Sequence, residues 1–131
     1  TGEVVAGVRT EDGRGLADAR RLLRSGGMLN APPQGTNTTI GVVATNATLT
    51  KAEVTKVAQM AQDGLARTTY PAHTTRDGDA VFSLATGAWD GTADVTLIGA
   101  LAADAMAEAI LRAVRLAEGL PGFPSASDLG R

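Results

Sequence analysis

The 131-residue sequence contains no cysteine and only one histidine, and both shortages exclude kinds of chemistry. Without cysteine, the chain cannot form a disulfide, use a thiol nucleophile or bind a metal through thiolates. With His73 as the only imidazole, a two-histidine metal site within this chain is excluded. A Ser-His-Asp triad would have to use His73, but no nucleophile motif stands beside it, so a loop histidine in a structural hydrogen bond is the simpler interpretation. The absence of cysteine fits a reducing compartment, and we expect a cytoplasmic protein.

Concentrated charge and long apolar runs are also missing. The net charge is −2 and no basic block occurs, which argues against nucleic acid or an anionic membrane surface as a partner. No apolar run approaches the roughly 18–20 residues needed to cross a bilayer, and no signal peptide is visible. Aromatic residues make up only 3% of the chain, whereas alanine and glycine are abundant, so we expect a core of small, closely packed side chains. Because the chain begins at Thr1 rather than methionine, we expect a processed product or a fragment of a larger protein.

Apolar periodicity and turn signals predict alternating strands and helices, and therefore an α/β fold with helices layered on a sheet. The apolar run within residues 38–45 is nearly continuous rather than alternating, so we expect both faces of that strand to be covered. The predicted strands are 3–9, 38–45 and 80–86, and the predicted helices are 15–24, 50–67 and 94–118. The predicted loops include 28–37 and 68–79, and a turn is expected over 87–91. The tail 119–131 is predicted to be extended or disordered.

The start of the second predicted helix carries the clearest local signal. Thr50 is placed as the N-cap residue and Glu53 as the third helical residue, which together predict a capping box. Because such a pair satisfies two backbone donors at once, we expect the helix to begin directly after Thr50.

The stretch Asp77-Gly78-Asp79 places two carboxylates two residues apart, just before a predicted strand. In extended chain both side chains would point to one face, and two close carboxylates would require a shared proton or a cationic partner. A surface turn with glycine at its tip is the simpler interpretation. A calcium loop is a further alternative, but the rest of an EF-hand is missing.

Asn37-Thr38-Thr39 stands directly before the apolar run that begins at Ile40. These polar residues could simply close a loop. Chemistry offers another hypothesis, since a threonine hydroxyl that attacks the preceding carbonyl turns an amide into an ester that water then cleaves. The product begins with a threonine whose α-amine, with a pKa near 7.7–8.0, can act as the base for its own hydroxyl. This chemistry needs no histidine, cysteine, metal or cofactor.

Two stretches together give the sequence a family resemblance. "NTTIGVVAT" at residues 37–45 and "HTTRDGDAVFSLATG" at 73–87 resemble the DmpA-type family of self-processing hydrolases. That family includes L-aminopeptidase/D-Ala-esterase/amidases, β-peptidyl aminopeptidases, nylon-oligomer hydrolases and the pantetheine-cleaving enzyme of thienamycin biosynthesis. The resemblance covers roughly residues 30–115.

The resemblance implies a four-layer αββα sandwich, of which this chain is the C-terminal part. It implies cleavage between Asn37 and Thr38, with Thr38 as the nucleophile that heads the smaller β subunit. Asp77 and Asp79 match the pair that orients and polarises the nucleophile in relatives, and some relatives carry serine where Asp77 stands, which makes the role of Asp79 the more secure.

The same resemblance divides the chain and implies a partner. Residues 1–37 would be the end of the α subunit, 38–118 the β subunit and 119–131 a flexible tail. The rest of the α subunit supplies an oxyanion-hole asparagine and much of the substrate pocket in the family. We therefore expect the remainder of the same precursor as a partner, and a homo-oligomer of αβ units.

The functional prediction is an N-terminal-nucleophile amide hydrolase that acts as an aminopeptidase or amidase on small substrates. Residues 38–131 do not decide between this activity and cleavage of pantetheine or polyamide-oligomer amides. The alternative from another class is a non-catalytic α/β binding or assembly module, whose loop 26–37 would connect it to a partner. A nick before Thr38 in the mature protein would favour the hydrolase, and an intact chain would favour the module.

Overall fold

A computed structural model describes residues 2–27 and 38–130 of the chain. The predicted loop 28–37, which includes Asn37, lies outside the described residues. The chain divides into two compact units, one of them formed by residues 36–109 and the other by residues 1–35 together with 110–131. The elements in chain order are α1 (Ala19–Arg24), β1 (Ile40–Ala47), α2 (Lys51–Thr68), β2 (Ala80–Trp89), α3 (Val95–Leu116) and a short 3₁₀ helix (Ser127–Leu129).

Strands β1 and β2 form a two-stranded parallel sheet, so the α/β class predicted from the sequence is confirmed. Ile40 pairs with Ala80, and this register holds as far as the pair Thr45 and Ala85. The register then shifts. Gly87, which was predicted to begin a turn, instead lies inside β2 with φ of 67°. Because only glycine adopts that backbone conformation easily, the strand continues through an irregularity where the sequence pattern indicated a stop.

Helix α2 begins where the capping box predicted. The Thr50 hydroxyl accepts a hydrogen bond from Glu53 N at 3.4 Å, and Glu53 Oε2 accepts one from Thr50 N at 2.7 Å. This pair also places the helix directly behind β1, with only residues 48–50 between the two elements. The predicted helix 50–67 is therefore confirmed, with observed bounds of Lys51–Thr68.

The core of the compact unit formed by residues 36–109 lies between the sheet and helices α2 and α3. Val57, Ala61 and Ala102 form its buried cluster. Glycine allows the elements to approach one another closely: a Cβ built on Gly41 of β1 would lie 2.6 Å from Met106 Cε of α3. The expectation of a core built from small, closely packed side chains is met at this point. Partly buried hydrophobic residues surround the cluster, namely Val43, Leu49, Val81, Val95 and Ile98.

The opposite face of the sheet is apolar and exposed. Side chains alternate along β1, so the residues that point away from the helices are open to solvent, and β2 repeats this pattern in its first half. The expectation that both faces of β1 are covered is not met within the described residues. The large exposed side chains on this face are Ile40 (70% exposed), Val42 (61%), Phe82 (60%) and Leu84 (46%). These four residues are called the open sheet face below.

The described part of the other unit, residues 2–27 with 110–130, differs most from the predicted secondary structure. Within residues 2–27 the expected strand 3–9 is absent, and a single antiparallel bridge joins Arg9 to Leu16. Gly7 has φ of 134°, which interrupts extended chain and explains why the apolar run does not form a strand. Helix α1 begins at Ala19 rather than near residue 15, because the Asp18 carboxylate accepts from Arg20 N and caps it there.

The tail contains more local structure than its composition indicated. Leu120 and Phe123 pair in an antiparallel bridge, and a 3₁₀ helix follows. The Asp128 carboxylate accepts from both the backbone N–H and the hydroxyl of Ser125, each at 2.8 Å. These two bonds lower the pKa of Asp128, the backbone bond most strongly.

No helix in the described parts of the chain combines the length and the apolar character that crossing a bilayer requires.

Candidate active site

The candidate site forms where β1 and β2 begin side by side. Thr38 and Thr39 immediately precede β1, and both are exposed. Ala80 N donates a 2.9 Å hydrogen bond to Thr39 O, which fixes the first step of the parallel pairing. The register that pairs Ile40 with Ala80 brings the Asp77-Gly78-Asp79 stretch beside Thr38 and Thr39. Residues some forty positions apart in the sequence therefore meet at one end of the sheet.

Asp79 is bonded directly to the predicted nucleophile segment. Its Oδ1 accepts a hydrogen bond from the backbone N–H of Thr39 at 2.7 Å. This short bond, with a charged acceptor, closes the end of the ladder where no strand residue is available as a partner. Asp79 therefore holds the peptide that links Thr38 to Thr39. Within residues 2–27 and 38–130, the Thr38 hydroxyl itself makes no hydrogen bond to Asp79 or to Asp77.

Gly78 lies against the Thr38 hydroxyl. A Cβ built on Gly78 would be 2.9 Å from Thr38 Oγ1, and 3.9 Å and 4.0 Å from the methyl carbon and the Cβ of Thr38. The hydroxyl of Thr38, and not its methyl group, therefore points at Gly78.

Asp77 has hydrogen-bond partners other than Thr38 and Thr39. Its Oδ2 accepts hydrogen bonds from the Thr74 hydroxyl at 2.8 Å and from Thr74 N at 2.7 Å. The hydroxyl bond is the main reason why the pKa of Asp77 lies below its ordinary value, the backbone bond comes next, and the nearby His73 adds a smaller contribution. Neutral donors and not a shared proton thus stabilise this carboxylate, which is ionised at neutral pH. The expectation that the two carboxylates need a common proton or a cation is wrong for Asp77.

His73 has a structural contact in the same loop. Its Nε2 lies 3.0 Å from Oε1 of Gln62 on α2. The residue has φ of 57°, an uncommon conformation for a residue with a side chain. This contact agrees with the prediction that His73 makes a structural hydrogen bond.

Metal ligands are not gathered at this site. Among the described residues, no group of three or more histidine, aspartate or glutamate side chains is arranged to hold a metal ion. Asp77 and Asp79 each bind protein donors instead.

Sequence reasoning missed two residues of the site. Thr74 positions Asp77, and Gly78 contacts the Thr38 hydroxyl. A signal for Thr74 was present, because a threonine three residues before a carboxylate is the spacing of a reciprocal cap. Gly78 had no comparable signal, since a glycine between two aspartates reads as a turn residue. Asn37, the other half of the predicted cleavage site, lies outside the described residues.

Comparison with known proteins agrees with the motifs that meet at this site. A family model described as peptidase family S58 matches residues 3–127. The chain belongs to peptidase family S58. This is the DmpA-type aminopeptidase family, so the resemblance stated from the two sequence stretches is confirmed. The match extends over both described segments of the chain and beyond the region that the motifs themselves cover.

Curated relatives of this chain carry aminopeptidase names. An uncharacterized aminopeptidase of Mycobacterium leprae is 50% identical, with 74% of this chain and 30% of the relative covered. Uncharacterized aminopeptidases of Mycobacterium bovis and Mycobacterium tuberculosis are each 45% identical, with 71% of this chain and 31% of the relative covered. The chain thus spans about a third of the length of the curated relatives it matches.

Proposed function

We propose that this chain carries the nucleophile of a self-cleaving amide hydrolase. The peptide bond between Asn37 and Thr38 breaks, and Thr38 becomes the first residue of a smaller subunit. One observation carries the proposal: the Thr38 hydroxyl lies against Gly78 of the Asp77-Gly78-Asp79 stretch, where the two parallel strands begin. Membership in peptidase family S58 supports hydrolysis of an amide bond as the reaction class.

Self-cleavage proceeds through an ester. Thr38 Oγ1 attacks the carbonyl carbon of Asn37, the bond from that carbon to Thr38 N breaks, and the hydroxyl proton passes to the departing nitrogen. Water then hydrolyses the ester, which leaves a carboxylate on Asn37 and restores the hydroxyl of Thr38 beside a free α-amine. The reaction uses only groups of the backbone and of Thr38 in its bond-making steps.

Turnover repeats this chemistry on a substrate. The freed α-amine, which titrates near 7.7–8.0, accepts the proton of Thr38 Oγ1 as the hydroxyl attacks the scissile carbonyl. An acyl-enzyme forms, the amine of the substrate leaves, and water releases the acid. Each donor that stabilises the oxyanion contributes about 2.7–4 kcal/mol to transition-state stabilisation, and we propose that the remainder of the protein supplies those donors.

The two carboxylates have separate roles in this proposal. Asp79 is a positioning residue, because its bond to Thr39 N fixes the peptide that carries Thr38. Asp77, which directly precedes the Gly78 that lies against the Thr38 hydroxyl, is held as an anion by Thr74. Negative charge at this position favours a substrate with a free ammonium group. We therefore propose an aminopeptidase that acts on small peptides or amides, in agreement with the names of the relatives.

The open sheet face supports the finer fold proposal. Its four large apolar side chains are exposed in this chain, and contiguous exposed apolar surface of this kind is typical of an interface. We propose that a second sheet from the remainder of the same precursor covers it, which completes a four-layer αββα sandwich, and that such αβ units associate into an oligomer. The chain accounts for about 30% of the relatives' length, so these relatives are long enough to contain that sheet.

Replacement of Thr38 by alanine in the full-length protein that carries this sequence tests the proposed function. We expect Thr38→Ala to remain a single chain by intact mass and to show no turnover. Thr39→Ala is the matched control, because it removes the neighbouring hydroxyl but keeps the backbone N–H bonded to Asp79. We expect that variant to be cut before residue 38, which N-terminal sequencing of the small subunit verifies.

Three results would reject the proposal. Cleavage of Thr38→Ala after Asn37 would remove Thr38 from the chemistry, and a small subunit that begins at Thr39 would exchange the roles of the two threonines. A wild-type protein that stays intact would favour a binding or assembly module.

For the substrate class, a p-nitroanilide of a free amino acid should be cleaved and its N-acetylated form should not; the reverse would point to amidase activity on blocked amides.

A further inference from the structure

The space above Gly78 is occupied by the oxygen of the proposed nucleophile. Real Cβ atoms essentially never come within 3.0 Å of such a neighbour, and a Cβ on Gly78 would lie 2.9 Å from Thr38 Oγ1. Among the described residues other than the chain neighbours Asp77 and Asp79, no other heavy atom is closer than 3.9 Å to that position. Within that set, a side chain at residue 78 would therefore collide with the Thr38 hydroxyl alone.

The backbone does not require glycine at this position. Among the described residues, six other glycines have φ between +67° and +134°, where a side chain is strained, but Gly78 is not one of them. An alanine could adopt the backbone conformation of Gly78 without that strain. The φ angle of residue 78 therefore gives no reason for glycine, whereas the contact with Thr38 offers one.

The threonine side chain has a limited set of responses to such a contact. The oxygen, the methyl group and the hydrogen on Cβ occupy three staggered positions around χ1, and the oxygen is the one that points at Gly78. An added Cβ would favour the rotamer that places the small hydrogen there. The hydroxyl would then point elsewhere, although the fold around it would be unchanged.

We infer that Gly78 is a positioning residue for the nucleophile: its missing side chain leaves room for the one Thr38 rotamer that directs the hydroxyl into the space between the starts of β1 and β2. The inference rests on the proposed function, in which that hydroxyl attacks both the Asn37 carbonyl and the substrate. Gly78 acts through Thr38 and touches neither reacting carbonyl carbon in this scheme.

The test compares Gly78→Ala with the wild-type sequence in the full-length protein. We expect self-cleavage to slow by about tenfold to 100-fold, because a displacement of about 1 Å at a reacting atom has an effect of that size. In the matured variant we expect kcat to fall similarly while KM changes less than threefold. Thr75→Ala, an exposed position in the same loop, is the matched control and should keep the wild-type rates.

A second pair of variants separates the hydroxyl contact from folding. Thr38→Ala and Thr38→Ala/Gly78→Ala both lack the oxygen, so their melting temperatures should agree within 1–2 °C, a range of about a few tenths of a kcal/mol. If Gly78→Ala fails to fold but the double variant folds normally, the collision with the hydroxyl is again supported.

Two outcomes would overturn the inference. Wild-type self-cleavage and wild-type kcat in Gly78→Ala would show that the rotamer does not depend on residue 78. A lower melting temperature, or loss of folding, in Thr38→Ala/Gly78→Ala relative to Thr38→Ala would show that the backbone needs this glycine. Neither outcome touches the proposed function, which is tested separately by cleavage of Thr38→Ala, by the first residue of the small subunit and by cleavage of the wild-type protein.

Discussion

Oδ1 of Asp79 accepts a 2.7 Å hydrogen bond from the backbone N–H of Thr39. The bond joins the side chain that opens one strand to the backbone that opens its parallel neighbour. Because the acceptor is a carboxylate, the bond is of the stronger, charge-assisted kind. It makes the position of Thr38 depend on a residue some forty places further along the chain.

Removal of the Asp79 carboxylate should shift Thr38, the proposed nucleophile, from its position. In the full-length protein we expect Asp79→Ala to slow self-cleavage by about tenfold or more, since hydrogen bonds to charged groups contribute roughly 1.5–3 kcal/mol. Asp79→Asn should slow it less, because the amide oxygen can still accept from Thr39 N. The rate of nicking, followed by intact mass over time, measures both effects.

Hydrogen exchange supplies the control for the Asp79 variants. Loss of the acceptor should speed exchange of the Thr39 amide in Asp79→Ala, and the amide of Asp79→Asn should stay closer to wild type. If Asp79→Ala matured at the wild-type rate while its Thr39 amide exchanged faster, Asp79 would be a structural residue with no part in positioning Thr38.

The pKa of Asp77 should follow the hydroxyl of Thr74. In the folded protein this pKa lies below the ordinary value of 3.8, first because of the Thr74 hydroxyl and next because of the Thr74 backbone N–H. A depressed folded-state pKa means that the stabilisation is present above about pH 3.8 and is lost as the pH falls through the lower, folded value. We expect Thr74→Val to move the pKa of Asp77 upward, as measured by NMR titration of its side-chain carbon.

Thr74→Ser is the matched variant for that titration. It restores a hydroxyl donor and should keep the pKa of Asp77 depressed. Equal pKa values in Thr74→Val and Thr74→Ser would contradict the assignment of the hydroxyl as the largest cause. The stability of the two variants should also differ above about pH 3.8, with Thr74→Ser the more stable, and this difference should vanish as the pH falls through the folded-state pKa of Asp77.

A charge on the open sheet face should prevent assembly if the remainder of the protein covers that face. Val42 is 61% exposed in this chain, so Val42→Asp costs little by itself. Under a second sheet, the buried carboxylate would carry a penalty of several kcal/mol. We expect the full-length variant to be largely aggregated or unassembled by size-exclusion chromatography and to mature slowly.

Gln59→Asp provides the comparison for the open sheet face. Gln59 is exposed and polar and lies on α2 rather than on that face, so the added charge there should have little effect on assembly. Normal assembly and maturation of Val42→Asp would refute the four-layer arrangement, because an apolar interface does not tolerate an unpaired carboxylate.

The secondary-structure elements that were predicted correctly are those marked by local sequence signals. The capping box at Thr50 and Glu53 fixed the start of α2, since both of its hydrogen bonds lie within four consecutive residues. The predicted strand 3–9 failed for the opposite reason. Its residues have an apolar pattern, but a strand also needs pairing along its length, and within the described residues only Arg9 of this segment forms a β-bridge.

Sequence motifs pointed to the residues of the candidate site but not to the hydrogen bonds that those residues make. Thr38, Asp77 and Asp79 came from motifs, and the structure brings the Asp77-Gly78-Asp79 stretch to Thr38 and Thr39. Sequence spacing predicted that the two carboxylates share one environment. In the structure Asp79 accepts a hydrogen bond from Thr39 and Asp77 accepts hydrogen bonds from Thr74, so each carboxylate has donors of its own.

By itself the sequence determined what depends on neighbouring residues or on composition: where α2 begins, which segments form β1 and β2, and that thiol chemistry and a two-histidine metal site within this chain are excluded. Only the tertiary structure decided that the Thr38 hydroxyl meets Gly78 and that Asp79 holds Thr39. Those contacts follow from the parallel register of two strands separated by a whole helix. Register is set by packing across the sheet and against α2 and α3, which no short stretch of sequence contains.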